Sequence, residues 1–166
     1  MATTYEKIAT TTLGSANNTI TFSSIPNTYT DLRLVFVGST TAANDPYIQF
    51  NGVTGSSYSQ TSLSGDGSSV SATSSGGYTT RFSIPGGRQP TANVMWMWEL
   101  DLFSYTSSNF KTGLFKVSMD KNGSGSVNHA VGLFGNTNSI TSITIAIPTT
   151  TYTAGTTATL YGILKA

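Results

Sequence analysis

The chain has 166 residues, of which 37% are hydrophobic and only 9% are charged, and its formal net charge at pH 7 is +1. This length suits one domain with its own core, and so small a charge excludes both the charge-rich composition of disordered chains and the basic face of an electrostatic nucleic-acid binder. The absence of cysteine excludes disulfides, thiolate zinc sites and Cys nucleophiles.

The N-terminal residues 1–12 lack the apolar core of a signal peptide, and no apolar run in the chain approaches the ~20 residues of a membrane span. We therefore expect a protein that is made in a cytoplasm and does not insert into a membrane. Residues 1–12 are interpreted either as the first strand or as an N-terminal docking arm. In the second case, Tyr5 and Ile8 are its apolar contacts with a neighbouring subunit.

The next part of the chain predicts short strands separated by turns. Residues 18–24 alternate between apolar and polar side chains, as in a half-buried strand. Residues 32–37 form a denser apolar run, which is typical of a strand that is buried on both faces or lies at an interface. Residues 47–50 predict another strand, and Asn51-Gly52 is a strong turn signal directly after it.

A Ser- and Gly-rich stretch covers residues 54–77. Its composition predicts a flexible loop with a short strand at 58–63, and the alternative is a surface loop that is ordered against a neighbouring subunit. Loops of this length are uncommon in compact domains and are often functional. Residues 78–84 predict a strand, and the Pro- and Gly-rich residues 85–90 interrupt it.

Residues 94–103 give the clearest strand signal, because their side chains alternate between two faces. The face expected to point into the core carries Val94, Trp96, Trp98, Leu100 and Leu102. The opposite face carries Met95, Met97, Glu99, Asp101 and Phe103. Its apolar members Met95, Met97 and Phe103 are the candidate contacts with a neighbouring subunit. The alternative is a strand with both faces buried inside one protomer.

Four more strands are predicted in the last third of the chain. They are residues 113–119, 130–134, 142–147 and 158–164. The whole pattern, about eight short strands with turn signals between them, is typical of a sandwich or barrel. We predict an all-β protein with a single domain over residues 1–166, folded as a jelly-roll-like β-sandwich.

The candidates for catalysis are weak. His129 is the only histidine and has no nucleophile motif around it, so we expect it to be structural or exposed. Glu99 and Asp101 share a strand face at a separation of ~6–7 Å, within the range of glycosidase carboxylates, but this spacing arises on any half-exposed strand. We therefore expect no enzyme activity and no cofactor.

Residues 120–125 match the first half of a calcium-binding EF-hand loop. Oxygen ligands stand at Asp120, Asn122 and Ser124, but the position that needs a Glu is Val131. A hairpin turn is therefore the favoured interpretation. A weak cation site within residues 120–128 is the alternative.

The N-terminal quarter contains a longer pattern: Tyr-x-x-Ile-Ala-x-x-x-Leu, an alternating strand, then Phe-x-x-Ile-Pro-x-x-Tyr-x-Asp-Leu. Its positions here are Tyr5, Ile8, Ala9, Leu13, Phe22, Ile25, Pro26, Tyr29, Asp31 and Leu32. This pattern resembles the N-terminal segment of small virion proteins of tailed bacteriophages, especially cyanophages and related marine phages. The last ten residues, with Tyr161, Gly162 and Ile163, are similar to the ending of the same family.

The resemblance implies a non-enzymatic structural protein of the virion, made in the host cytoplasm. Its first expectation is a capsid decoration, or cement, protein on the particle surface. Partners would be phage capsid or tail proteins, and the chain would form a homo-oligomer, for which we expect a trimer. The alternative is a tail or tail-fibre adhesion module that binds host surface glycan through residues 54–77 and 85–90.

Overall fold

The computed structural model describes residues 4–75, 77–84, 91–120 and 123–164. In this part of the chain there are twelve β-strands and no helix, so none of the described residues belongs to a helix that could cross a membrane. The strands are β1 (Tyr5–Thr12), β2 (Thr19–Phe22), β3 (Asp31–Gly38), β4 (Tyr47–Phe50), β5 (Tyr58–Gly65), β6 (Val70–Ser74), β7 (Phe82–Ser83), β8 (Trp96–Phe103), β9 (Lys111–Met119), β10 (Ser126–Phe134), β11 (Ile143–Ala146) and β12 (Thr157–Ile163).

The strands form two antiparallel sheets. The large sheet has eight strands in the order β1-β12-β3-β8-β9-β10-β5-β6, and the small sheet has four in the order β2-β11-β4-β7. Rings from the two sheets meet in one core: Phe50 of β4 contacts Phe134 of β10, with ring centroids 5.2 Å apart, and Phe82 of β7 contacts Phe115 of β9 at 5.5 Å. The predicted all-β fold is confirmed, with an arrangement consistent with a β-sandwich; its jelly-roll topology stays a prediction.

The alternation predicted for the strand at 94–103 is confirmed in β8. Trp96, Trp98 and the two leucines of this strand are buried, whereas Met97 and Phe103 are exposed. Trp98 stacks on Phe36 of the neighbouring strand β3 with ring centroids 5.0 Å apart. Both tryptophans are therefore part of the core and cannot serve as exposed platforms for sugars.

The dense apolar strand β3 is buried on only one face. Its inward side chains Leu32, Leu34 and Phe36 are buried, whereas Val37 is 40% exposed. The prediction of burial on both faces is therefore wrong for the protomer, because the small sheet covers only one side of the large one. The other interpretation of this run, a strand at an interface, is compatible with the exposed face.

Residues 54–75 do not form a flexible loop. They contain the hairpin β5–β6, and β5 also pairs with β10 along its whole length, from Tyr58↔Phe134 to Gly65↔Val127. The short strand expected at 58–63 is thus confirmed and extends to residue 65. Strand β6 was not predicted, because all five of its side chains are exposed and therefore carry no alternation of apolar residues.

The turn predicted at Asn51-Gly52 is confirmed. Both residues have positive φ, 52° and 65°, and the Val53 N–H donates to the Phe50 carbonyl at 2.9 Å. The strands on either side do not pair with each other, since β4 belongs to the small sheet and β5 to the large one. This turn therefore carries the chain from one sheet to the other.

Residues 5–12, for which a strand and a docking arm were both open, form β1 at the edge of the large sheet. The strand pairs with β12, and the register shifts between Lys7 and Ala9. The half-buried Ile8 lies within this irregularity and packs against the core. Residues 1–3 lie outside the described part of the chain.

Candidate assembly surface

One face of the large sheet points away from the small sheet, and we call it the outer face. Its residues follow from the register of the strands: Val37 of β3 pairs with Met97 of β8, which pairs with Ser118 of β9, which pairs with Val127 of β10. A second row, at the middle of the strands, runs through Val35, Glu99, Lys116, His129 and Leu63.

The exposed apolar side chains are concentrated on the outer face. Twelve large hydrophobic residues are exposed in the described part of the chain, and all except Tyr78 and Phe110 lie on this face or directly beside it. These ten residues are Tyr5, Val37, Leu63, Val70, Met95, Met97, Phe103, Leu114, Val127 and Val131. Exposed apolar side chains gathered on one face are typical of a surface that contacts a partner.

A shallow groove of about 650 Å³ crosses the outer face where β8 begins and β9 ends. Its apolar walls are Val37, Met95, Met97 and Val127, of which Met95 is 58% and Val127 60% exposed. Methionine side chains are flexible and polarizable, so they adapt their shape to a partner. The groove is therefore suited to packing against another apolar surface.

Two ion pairs cross the middle of the outer face. Arg33 donates from Nε and Nη2 to the two carboxylate oxygens of Asp101, at 2.5 and 2.9 Å, and this contact raises the pKa of the guanidinium above its ordinary value. The Nζ of Lys116 lies 3.7 Å from Oε2 of Glu99. Both carboxylates considered for glycoside hydrolysis thus have a basic partner on a neighbouring strand.

His129 is exposed on the outer face, and exposure is one of the two outcomes that the sequence predicted for it. Its partners across the strands are Lys116 of β9 and Leu63 of β5. The register therefore puts neither a hydroxyl nor a carboxylate directly opposite the imidazole.

The candidate cation loop is only partly described, since residues 121 and 122 lie outside the described ranges. Asp120 is exposed, and its Oδ1 accepts a hydrogen bond from the Gly123 N–H at 3.2 Å. Asn128 is buried on the inner face of β10. In the described part of the chain there is no group of three or more His, Asp or Glu residues that could hold a metal ion.

The outer surface of the small sheet differs from that of the large one, because it is polar. It presents Thr19 and Thr21 of β2, Tyr47 and Gln49 of β4 and Thr144 of β11. Hydroxyl pairs link neighbouring strands here and elsewhere on the surface. They include Thr21–Thr144 at 3.4 Å, Thr10–Thr159 at 3.1 Å, Thr12–Thr157 at 3.1 Å and Ser62–Thr73 at 2.7 Å.

Four of the five predicted contact residues lie on the outer face. Met95 directly precedes β8, and Met97 and Phe103 lie within it; all three are exposed. Tyr5 lies at the β1 edge, where the Arg33 guanidinium is 5.8 Å from its ring centroid. Ile8 is the exception, because it packs against the core. The contribution of β5, β6 and β10 could not be predicted from the sequence, because their apolar residues join this face only through strand pairing.

Comparisons with protein-family models and with curated protein sequences find no match for this chain.

Proposed function

We propose that the protein is a non-enzymatic structural component of a phage virion, with a capsid decoration protein as the first candidate. The observation that carries the proposal is the outer face, where ten exposed apolar side chains surround two internal ion pairs. A protein that works as a building block of a particle must bury such an area against neighbours. The N-terminal and C-terminal patterns that resemble virion proteins support the same assignment.

The arrangement of polar groups also supports a structural role. Glu99 and Asp101 are each engaged by a basic side chain, and the imidazole of His129 lies between Lys116 and Leu63. A catalytic acid or base needs a cleft and a partner that sets its protonation. None of Glu99, Asp101 and His129 lines the groove of the outer face, so this face is better suited to contact than to chemistry.

The deciding experiment is cryo-electron microscopy of the virions, with mass spectrometry of the purified particles. We expect many copies of the chain in regular positions on the capsid lattice. Phage that carries Met97→Glu should yield particles with fewer copies, whereas Thr21→Glu on the polar small sheet should not change the number. Finding the chain only at the tail, or not at all in the particle, would refute the capsid assignment.

A tail adhesion module that binds host glycan is the second candidate. A groove of about 430 Å³ lies beside the hairpin β5–β6, and its lining combines uncharged polar side chains such as Gln60, Thr61 and Thr112 with Tyr78, an exposed aromatic ring. Neutral hydrogen-bonding groups beside an aromatic ring suit a sugar. A glycan array would test this candidate: binding that Tyr78→Ala abolishes supports it, and no binding rules it out.

A further inference from the structure

We propose that the outer face packs against the same face of a second copy, around a twofold axis that runs parallel to the strands between β8 and β9. The inference rests on the proposed role of this face in assembly and names its partner. Three features of the face support it: its area, its charges and the positions of its apolar side chains.

The area of the face is what a stable dimer needs. The six central strands run from β12 to β5, and β8 and β9 lie in the middle of the sheet with three strands on either side of this pair. At ~4.8 Å between strands and ~3.3 Å per residue over about eight residues, these six strands cover on the order of 800 Å². A specific interface of standard size buries ~800 Å² on each partner.

The charges at the centre of the outer face are complementary to those on the same face of a second copy. Glu99 on β8 pairs with Lys116 on β9 directly across the strands. A twofold axis between these strands exchanges them, so that Glu99 lies opposite Lys116 of the partner subunit. The reverse contact follows by symmetry. Each carboxylate then lies between two ammonium groups, an arrangement that a second copy provides without a partner of opposite net charge.

The same axis brings one pair of apolar side chains together. It exchanges β3 with β10, and Val37 and Val127 stand in one row of the register, so Val37 lies opposite Val127 of the partner subunit. Leu114 and Val131 fall opposite the Arg33–Asp101 pair, whose charges already neutralise each other within the protomer. One contact thus covers the row from Val37 to Val127 and both ion pairs within each protomer.

A trimer, which the resemblance led us to expect, fits the face less well. A threefold contact is heterologous and joins two different patches of each protomer, whereas a twofold contact joins a patch to itself. The outer face carries both charges of its central pair on adjacent strands and is complementary to itself. We therefore assign it a twofold contact.

The experiment uses the full chain and two charge reversals, Glu99→Lys and Lys116→Glu, in sedimentation velocity. Each variant alone puts two like charges at the centre of the face, opposite two more in its own copy. We expect the wild type to form dimers and each variant to need a concentration at least about tenfold higher for dimerisation. An equimolar mixture of the variants should restore the dimer, because the lysines of one face the glutamates of the other.

Each variant has lost the ion pair within one subunit, and mixing does not restore it. Mixing restores opposite charges only between subunits, so a recovered dimer must be due to that contact. As a matched control, Thr21→Lys adds a charge to the small sheet and should leave association unchanged. A short bis-maleimide should join Val37→Cys to Val127→Cys when the two variants are mixed, and no native cysteine competes. This cross-link decides the question even if a charge reversal fails to fold.

Four results would overturn the inference: a wild type that is monomeric at about 100 µM, a trimer, unchanged association of the single variants, or a mixture that associates no better than they do. A monomer would refute the twofold contact while leaving the virion assignment to be judged on the particles themselves.

Discussion

At Gly162 in β12 there is no room for a side chain. A Cβ atom at this position would overlap Cγ of Tyr29, whose hydroxyl donates to Oε2 of Glu6 at 3.1 Å. Tyr29 belongs to the N-terminal pattern and Gly162 to the C-terminal one, so these two parts of the resemblance meet in space. Their shared role is to pack the end of β12 and its neighbour β1 beneath an aromatic ring.

We predict that Gly162→Ala destabilises the protein by about 1–3 kcal/mol, the usual cost of overpacking. The overlap involves the Cγ end of the Tyr29 ring, so the whole side chain must turn away. The free energy of unfolding in urea measures the effect. Gly14→Ala is the control, because nothing lies within 4 Å of a Cβ at that position. Equal stability of the two variants would contradict this explanation of Gly162.

Tyr152 is fully buried, and its hydroxyl has no hydrogen-bond partner among the described residues. Burial, assisted by the nearby Tyr47, raises the pKa of this hydroxyl above its ordinary value of 10.0. Above pH 10 the unfolded chain therefore loses a proton that the folded chain keeps. This group stabilises the fold fully below pH 10, and its contribution falls as the pH rises further.

With Tyr152 replaced by Phe, the free energy of unfolding should therefore fall less steeply as the pH rises above 10. We expect little change at pH 7, since no hydrogen bond is lost, and a slope above pH 10 that is smaller by up to about 1.4 kcal/mol per pH unit. Urea unfolding between about pH 8 and pH 11 measures both quantities. Identical slopes for wild type and variant would show that Tyr152 ionises equally well in the folded protein.

At the scale of the elements, Lys111 connects two segments of irregular chain. It is the first residue of β9 and is fully buried. Its Nζ donates to the carbonyls of Ser107 at 2.7 Å, Asn109 at 2.8 Å and Asn136 at 3.1 Å. The ammonium group thus joins the turn before β9 to the chain after β10, although burial lowers its pKa.

The variant Lys111→Met should lose about 2–4 kcal/mol of stability, because three carbonyls lose a charged donor at once. Lys7→Met on the exposed edge strand β1 is the control and should change stability by less than about 0.5 kcal/mol. Urea unfolding of both variants compares them directly. If Lys111→Met were as stable as its control, the three hydrogen bonds would have no net value.

Strands with apolar alternation could be predicted from the sequence, whereas strands defined by pairing alone could not. Trp96 and Trp98 mark the core face of β8, and the same alternation put Met97 on the other face. Strand β6 has only exposed side chains, and it forms because its backbone pairs with that of β5. The contribution of Val127 to the outer face depends on its register with β9, which no local pattern encodes.

At the scale of the whole molecule, the two sheets share one core but present opposite surfaces. The large sheet exposes apolar side chains around internally paired charges, and the small sheet exposes threonine and glutamine. The molecule is therefore one-sided, because its exposed apolar side chains are concentrated on the large sheet. This asymmetry could not be read from composition, since a formal charge of +1 and 37% hydrophobic residues describe both surfaces together.

The hydroxyl pairs between strands have a consequence for the medium in which the fold persists. Links such as Thr10–Thr159 and Ser62–Thr73 carry no charge, so dissolved ions do not screen them as they screen surface ion pairs. We predict that the free energy of unfolding changes by less than about 1 kcal/mol between about 0.05 M and about 1 M NaCl. Urea unfolding at the two salt concentrations measures this, and a large loss would contradict it. A fold linked by such uncharged contacts should persist equally in fresh water and in brine.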